Sequence, residues 1–182
     1  MIRRLLTAAA ILFSGAATAQ DIAIPVGQIG EGSVVTVRNS QGAVYTHLML
    51  GINTPGLFVY ETYNGAQPSG QLLFTDYTDH DGNLMRRVRP NVGTDTWTPH
   101  RCNRTMGRCT YTEVLANGTR SELIRTTTPI PGGFAFTITD TGGRTILSGD
   151  AVLMPQGWMQ TGSYQFGNGT RVTSEAISVE FR

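Results

Sequence analysis

Short turn signals, recurring about every ten to fifteen residues, constrain this chain more than any other feature of its sequence. They include Asn64-Gly65, Asn117-Gly118 and Asn168-Gly169. An Asn-Gly pair between alternating runs is a strong hairpin signal, because both central residues of a type I′ turn need a positive φ. A chain punctuated this often has little room for long helices, so the turns predict a string of short antiparallel strands.

The runs between these turns alternate apolar and polar residues with a period of two. This pattern is typical of a strand with one buried face and one solvent-exposed face. The apolar faces predicted in this way are Phe134, Phe136 and Ile138 in one run, and Ile177, Val179 and Phe181 in the last run. No helical period of any length is found. The pattern therefore predicts an all-β protein.

The number of such runs predicts about ten to twelve strands. The composition agrees, since 22 glycines and 25 threonines among 182 residues suit turns and pleated surfaces. Sequential hairpins favour an up-and-down meander, and a meander this long exposes two edges unless it closes. We therefore expect a single domain over residues 20–182 that forms a closed or partly closed barrel, with a β-sandwich as the alternative.

The first nineteen residues have the pattern of a secretory signal peptide. Arg3 and Arg4 precede a short apolar run, and Ala17-Thr18-Ala19 fits an A-x-A cleavage site. The apolar stretch is too short for a spanning helix, which needs roughly 20 residues, and no cysteine follows the cleavage site to carry a lipid. The sequence predicts a periplasmic or secreted protein of a bacterial envelope, with no transmembrane segment in the mature chain.

The charge balance excludes several classes of partner. All 14 basic residues are arginines, set against 13 acids. Loss of Arg3 and Arg4 leaves 12 basic residues and a net charge of −1 with neutral histidines. A near-neutral chain has little long-range steering field, so no nucleic-acid partner is expected.

Cys102 and Cys109 are the two cysteines of the chain, with six residues between them. In an exported protein, a pair on either side of a short turn predicts one intrachain disulfide. A zinc site with His100 is the alternative, but structural zinc needs four ligands at a recognisable spacing. We expect the disulfide to staple a loop between two strands of a hairpin.

Sequence motifs for catalysis, for metal binding and for cofactor binding are absent. His47, His80 and His100 lie far apart, and His47 alternates with apolar residues as a partly buried structural histidine would. The acidic run at 76–83 matches part of a calcium loop, but Val88 stands where that loop needs a glutamate. We expect no cofactor, and the sequence favours a non-catalytic protein.

One stretch concentrates arginines beside an aromatic residue. Guanidinium groups near aromatic rings can hold anionic groups through forked hydrogen bonds and cation–π contacts. Alternatively, they form a solvated face balanced by the aspartates of the acidic run. The candidate ligand or partner contacts are Arg86, Arg89, Trp97, Arg101, Arg104 and Arg108.

Two functions fit these expectations. The first is a binding module for a small apolar, amphipathic or anionic ligand, since small meander barrels often enclose one ligand. The second is a structural or interaction module that docks an envelope protein through the arginine-bearing disulfide loop. The aromatic residues expected to line an interior cavity are Tyr60, Phe74, Phe134, Phe136, Trp158, Tyr164 and Phe166.

The signal peptide gives a direct prediction. The mature protein from a periplasmic extract begins at Gln20 when analysed by N-terminal sequencing, and Ala19→Phe blocks cleavage because the site needs a small residue there. Thr18→Ser, between the two alanines, is the matched control and leaves processing unchanged. An unprocessed wild-type chain that begins at Met1 would contradict the assignment.

Overall fold

The computed structural model describes residues 29–54, 57–79 and 81–182. The predicted signal peptide and its cleavage site lie outside the described residues, as does His80. In these ranges the chain forms twelve strands and one short 3₁₀ helix, His100–Asn103, that precedes β7. The strands are β1 Val34–Asn39, β2 Val44–Thr54, β3 Leu57–Asn64, β4 Leu72–Asp79, β5 Leu84–Arg89, β6 Gly93–Thr98, β7 Gly107–Val114, β8 Arg120–Ile130, β9 Gly133–Asp140, β10 Thr145–Leu153, β11 Met159–Phe166 and β12 Arg171–Glu180.

Each strand pairs antiparallel with its neighbours in sequence, and β1 also pairs with β12. The sheet is therefore a closed barrel with an up-and-down order. This confirms the predicted all-β meander and its closure, and the sandwich alternative is not observed. Within the described ranges no helix is long and apolar enough to cross a membrane.

Because consecutive strands alternate in direction, the β7–β8 and β11–β12 turns lie at the same end of the barrel. In the β7–β8 turn the Asn117 side chain accepts a hydrogen bond from the Thr119 backbone amide at 2.9 Å, and Gly118 has φ 82°. The β11–β12 turn repeats this arrangement, with a 3.0 Å bond from the Thr170 amide to Asn168. The repeated Asn-Gly-Thr-Arg sequence is thus a hairpin turn in both copies. The expected type I′ geometry is wrong, because only the glycine of each Asn-Gly pair has a positive φ and the asparagine does not.

The predicted inward face of β9 is confirmed, whereas that of β12 is partly wrong. Phe136 and Ile138 are buried in the core cluster, and Phe134 packs against it. Ile177, by contrast, is 39% exposed. Thr36 pairs with Ser178 and the next residue, Val37, pairs with Ala176, so Ile177 is the extra residue of a β-bulge. A bulge breaks the two-residue alternation, which is why the pattern misplaced this side chain.

The barrel interior is only partly apolar. Barrels of about eight strands are filled by side chains, and much wider ones hold water. Here Asp76, on β4, is buried and receives two hydrogen bonds from Arg87 of 2.7 and 2.8 Å. Asp95, on β6, is also buried and pairs with Arg89. Burial raises the pKa of Asp76, and the Arg87 guanidinium opposes that rise.

The buried ion pair predicts a large difference between two substitutions. Asp76→Ala leaves Arg87 without its carboxylate inside the barrel, so we expect a loss of about 3 kcal/mol or more in the free energy of unfolding. Arg144→Ala, which removes the 79% exposed partner of Asp140, should cost less than about 1 kcal/mol. Urea denaturation measures both. Equal costs would mean that the interior is as well solvated as the surface.

Candidate functional site

The disulfide between Cys102 and Cys109 is present, as predicted. Cys102 lies in the 3₁₀ helix and is buried in the core cluster, while Cys109 lies on β7. The disulfide loop, residues 99–106, is at the opposite end of the barrel from the β7–β8 and β11–β12 turns. It folds over the β4–β5 turn, where Asn103 donates to the Leu84 carbonyl at 3.3 Å and Arg104 donates to the Gly82 carbonyl at 3.1 Å.

A cavity of about 260 Å³ opens at this end. Its walls come from the disulfide loop, the β4–β5 turn, the β10–β11 turn and the adjacent strands. Five of the seven aromatic side chains predicted to line a cavity are among its walls. The lining residues are Tyr60, Gly82, Leu84, Asn103, Arg104, Phe134, Phe136, Ala151, Leu153, Gly157, Trp158, Met159 and Tyr164.

The other two predicted aromatic residues lie elsewhere. The Phe74 ring packs under Arg87, whose guanidinium carbon is 3.8 Å from the ring centroid. Phe166 is 44% exposed near the end of β11. Neither ring is among the lining residues of this cavity, because residue type alone does not indicate at which end of the barrel a side chain lies.

The aromatic walls contact one another edge to face or at a tilt. Trp158 lies 5.7 Å from Tyr60 and 5.6 Å from His47, measured between ring centroids. Phe136 lies 6.3 Å from both Phe134 and Tyr164. Such contacts add to the energy of burial and hold each ring in place. The aromatic part of the cavity wall is therefore held by ring contacts, while Leu84, Leu153 and Met159 contribute flexible side chains to the rest.

Two phenol groups at the cavity stay protonated at neutral pH. Burial, aided by Asp76, raises the pKa of Tyr60, and burial also raises that of Tyr164. The Tyr164 hydroxyl donates to Met159 Sδ at 3.0 Å. Both hydroxyls are thus neutral polar groups in a mainly apolar wall.

Arg125, on β8, is a buried cation that is not itself a lining residue but whose guanidinium lies against two lining residues, Phe134 and Phe136. It is 8% exposed, its Nε donates to Thr127 Oγ1 at 3.1 Å, and its guanidinium carbon lies 4.2 Å from the Phe136 centroid. Burial, followed by other contributions that include repulsion from Arg104, lowers the Arg125 pKa to about 10. The side chain is therefore still charged at neutral pH.

Sequence analysis did not single out Arg125, although the signal was present. Leu123, Arg125 and Thr127 alternate on β8, and all three are buried. An arginine in phase with a buried leucine indicates an inward cation. The concentration of arginines between Arg86 and Arg108 predicted a site in the preceding segment instead.

The predicted arginine cluster does not converge on one site. Arg104 lines the cavity, and Arg89 is paired with Asp95. Arg86 is exposed and lies 3.9 Å from the Tyr77 ring, in a surface groove of about 440 Å³ that Trp97 also lines. Arg101 and Arg108 are exposed on and beside the disulfide loop.

Trp97 serves mainly as a core residue. It packs against the core cluster, and its indole nitrogen donates to Glu113 at 3.0 Å. Arg86 and Arg87 point to opposite faces of β5, as their adjacent positions require. Alternation along one strand thus separates residues that look clustered in the sequence.

The acidic run forms a hairpin turn. Asp79 Oδ1 accepts hydrogen bonds from the backbone amides of Asp81 and Asn83, at 3.0 and 2.8 Å. His100 Nε2 lies 3.4 Å from the other oxygen of Asp79. Among the described residues, no group of three or more histidines, cysteines and carboxylates is placed to hold a metal ion.

No protein-family model and no curated protein matches this sequence. Two solved structures resemble it at 12% sequence identity. One is a candidate lipoprotein from Parabacteroides distasonis, with a TM-score of 0.44 over 88% of this chain and all of that one. The other is a candidate exported protein with a YmcC-like fold from Bacteroides fragilis, with a TM-score of 0.40 over the same shares.

His47, beside the cavity, predicts a pH-dependent stability. Its Nδ1 lies 2.9 Å from Thr62 Oγ1, and burial, aided by Arg87, lowers its pKa from 6.5 to about 4. Between these values the unfolded imidazole binds a proton and the folded one does not. The stability from neutral His47 is therefore complete above pH 6.5 and falls as the pH drops towards 4, by about 2 kcal/mol at pH 5.

Urea denaturation at several pH values measures this contribution. His47→Gln cannot titrate, so the variant should lose less stability than the wild type between pH 7 and pH 5. The comparison uses the change with pH and not the absolute stability, which the substitution also alters. Parallel pH curves for the two proteins would contradict the depressed pKa.

Proposed function

We propose that this chain is an exported protein of the bacterial envelope that binds a small apolar or amphipathic molecule in the cavity at one end of its barrel. The cavity itself is the observation that carries this proposal. Concave sites with apolar, aromatic walls and a few polar groups are the usual form of small-molecule sites. Here two phenols, one amide and one guanidinium interrupt walls that are otherwise largely apolar.

The size of the cavity limits the ligand. Its volume of about 260 Å³ equals that of roughly nine liquid waters at about 30 Å³ each. Because a methylene group takes a similar space, a fully enclosed ligand has on the order of eight to ten non-hydrogen atoms. A longer molecule would extend out past the disulfide loop.

The connections at one end of the barrel support this site. The disulfide loop and the β10–β11 turn both contribute lining residues, and both lie at the end opposite the β7–β8 and β11–β12 turns. Binding residues commonly lie on loops held by a rigid scaffold. The disulfide and the hydrogen bond to the Gly82 carbonyl fix Arg104 at the mouth of the cavity.

Export rests on the sequence. The basic residues, apolar run and A-x-A site at 1–19 predict passage through the inner membrane. A disulfide is typical of an oxidising compartment such as the periplasm. The described lining of the cavity holds no carboxylate, imidazole or thiol, so the proposed role is binding rather than catalysis.

A second candidate function is docking of an envelope protein through the disulfide loop. Its support is the exposure of Arg101 and Arg108 at the open end of the barrel. These side chains are not part of the cavity lining. The two functions therefore use different residues and can be separated by substitution.

Cavity filling tests the proposed function. Leu153→Trp enlarges a side chain that lines the cavity, so we expect at least a tenfold loss of affinity for octan-1-ol and for octanoate, measured by titration calorimetry. Val152→Trp is the matched control, because the neighbouring residue on β10 points to the opposite face. It should leave both affinities within twofold of the wild type.

Two results would contradict the proposal. One is a wild-type protein that binds neither compound. The other is an equal effect of the two tryptophan substitutions, which would place binding outside the cavity.

A further inference from the structure

We infer that the ligand of this cavity carries an acidic head group, and that Arg125 and Arg104 bind that group while the aromatic walls hold a short apolar tail. The inference rests on the proposed function and deepens it, because it names the chemical class of the ligand as an anionic amphiphile.

Arg125 is the first observation behind it. Of the five N–H groups that a guanidinium carries, the Nε–H group is bonded to Thr127. Among the ion pairs of the described residues, none includes Arg125. The charged or titratable groups that act on it most are Tyr111, Arg104 and Tyr164. None of them is a carboxylate.

Two other arginines of the barrel interior, unlike Arg125, have carboxylate partners. Arg87 is neutralised by the buried Asp76, and Arg89 by the buried Asp95. A buried charge is costly unless a partner of opposite sign compensates it. The cation–π contacts of Arg125 with Phe136 and Phe134, at 4.2 and 5.9 Å, offset part of that cost but leave the charge uncompensated. An anion in the cavity would supply the missing partner.

Arg104 is a second cation at this cavity. It lines the cavity, and it lowers the pKa of Arg125, so the two guanidinium groups repel each other. Asp79 and Asp81, at the β4–β5 turn, are carboxylates that act on Arg104 and partly balance its charge. A bound anion between the two arginines would relieve their repulsion.

The residues around Arg125 indicate where in the cavity the acidic head group of the ligand would lie. Phe134 and Phe136, which its guanidinium contacts, and Tyr164, which acts on its charge, all line the cavity. An acidic group beside Arg125 would leave the rest of the ligand against the remaining walls. Trp158 and Tyr60 form an aromatic pair there that suits a methylene tail.

The experiment compares two ligands of equal tail length, octanoate and octan-1-ol, by titration calorimetry at neutral pH. We expect the wild type to bind octanoate at least tenfold more tightly than octan-1-ol. Arg125→Met keeps the length and apolar stem of the side chain but removes the charge, so octanoate affinity should fall at least tenfold and octan-1-ol affinity should stay within twofold. Arg125→Lys, which keeps a charge, should retain part of the preference.

Arg120→Met is the matched control, because Arg120 is an exposed arginine on the same strand. It should leave both affinities unchanged. A second readout is the midpoint of thermal unfolding without ligand, which we expect Arg125→Met to raise, since it removes an uncompensated buried cation.

The outcomes separate the inference from the proposed function. Equal binding of the two ligands by the wild type, or an equal loss of both in Arg125→Met, would overturn the anionic head group while leaving the cavity as a binding site. Binding of neither ligand would overturn both. The wild-type comparison alone decides the matter if Arg125→Met does not fold.

Discussion

The pairing of β1 with β12 is the interaction on which the rest of the structure depends. It converts a meander with two exposed edges into a closed barrel, in which each strand has a neighbour on both sides. Closure satisfies the backbone groups that a free edge would present to other chains. It also fixes the number of strands around the barrel, and so the width of the space that the side chains must fill.

That width accounts for the mixed chemistry inside. A barrel of twelve strands is wider than the eight-stranded barrels that side chains fill, and the interior here holds charged pairs and a cavity beside its apolar residues. One wall carries Asp76 with Arg87 and Asp95 with Arg89. On another lies Arg125, which forms no ion pair with a carboxylate of the described residues. The proposed ligand site lies where the side chains leave a cavity in this interior.

Local patterns predicted the fold well because they report on local requirements. Asn117-Gly118 marks a turn that needs a positive φ, and the alternation at Phe134, Phe136 and Ile138 marks one face of a strand. The same reasoning failed at Ile177, where a bulge shifted the alternation. It could not distinguish Arg104, which lines the cavity, from Arg101 and Arg108, which face solvent. A run of arginines along the chain says nothing about which of them meet in space.

The sequence by itself determined the all-β fold class, the order of the hairpins, the disulfide and most of the aromatic side chains that line the cavity. Each of these features depends on residues a few positions apart or on alternation within one strand. Only the tertiary structure decided that β12 closes on β1, at which end of the barrel the cavity lies, and that Arg104 lines this cavity while Arg125 contacts two of its lining residues. Those facts depend on contacts between strands far apart in the chain. The register and twist that set such contacts arise from the whole sheet at once, which no short segment encodes.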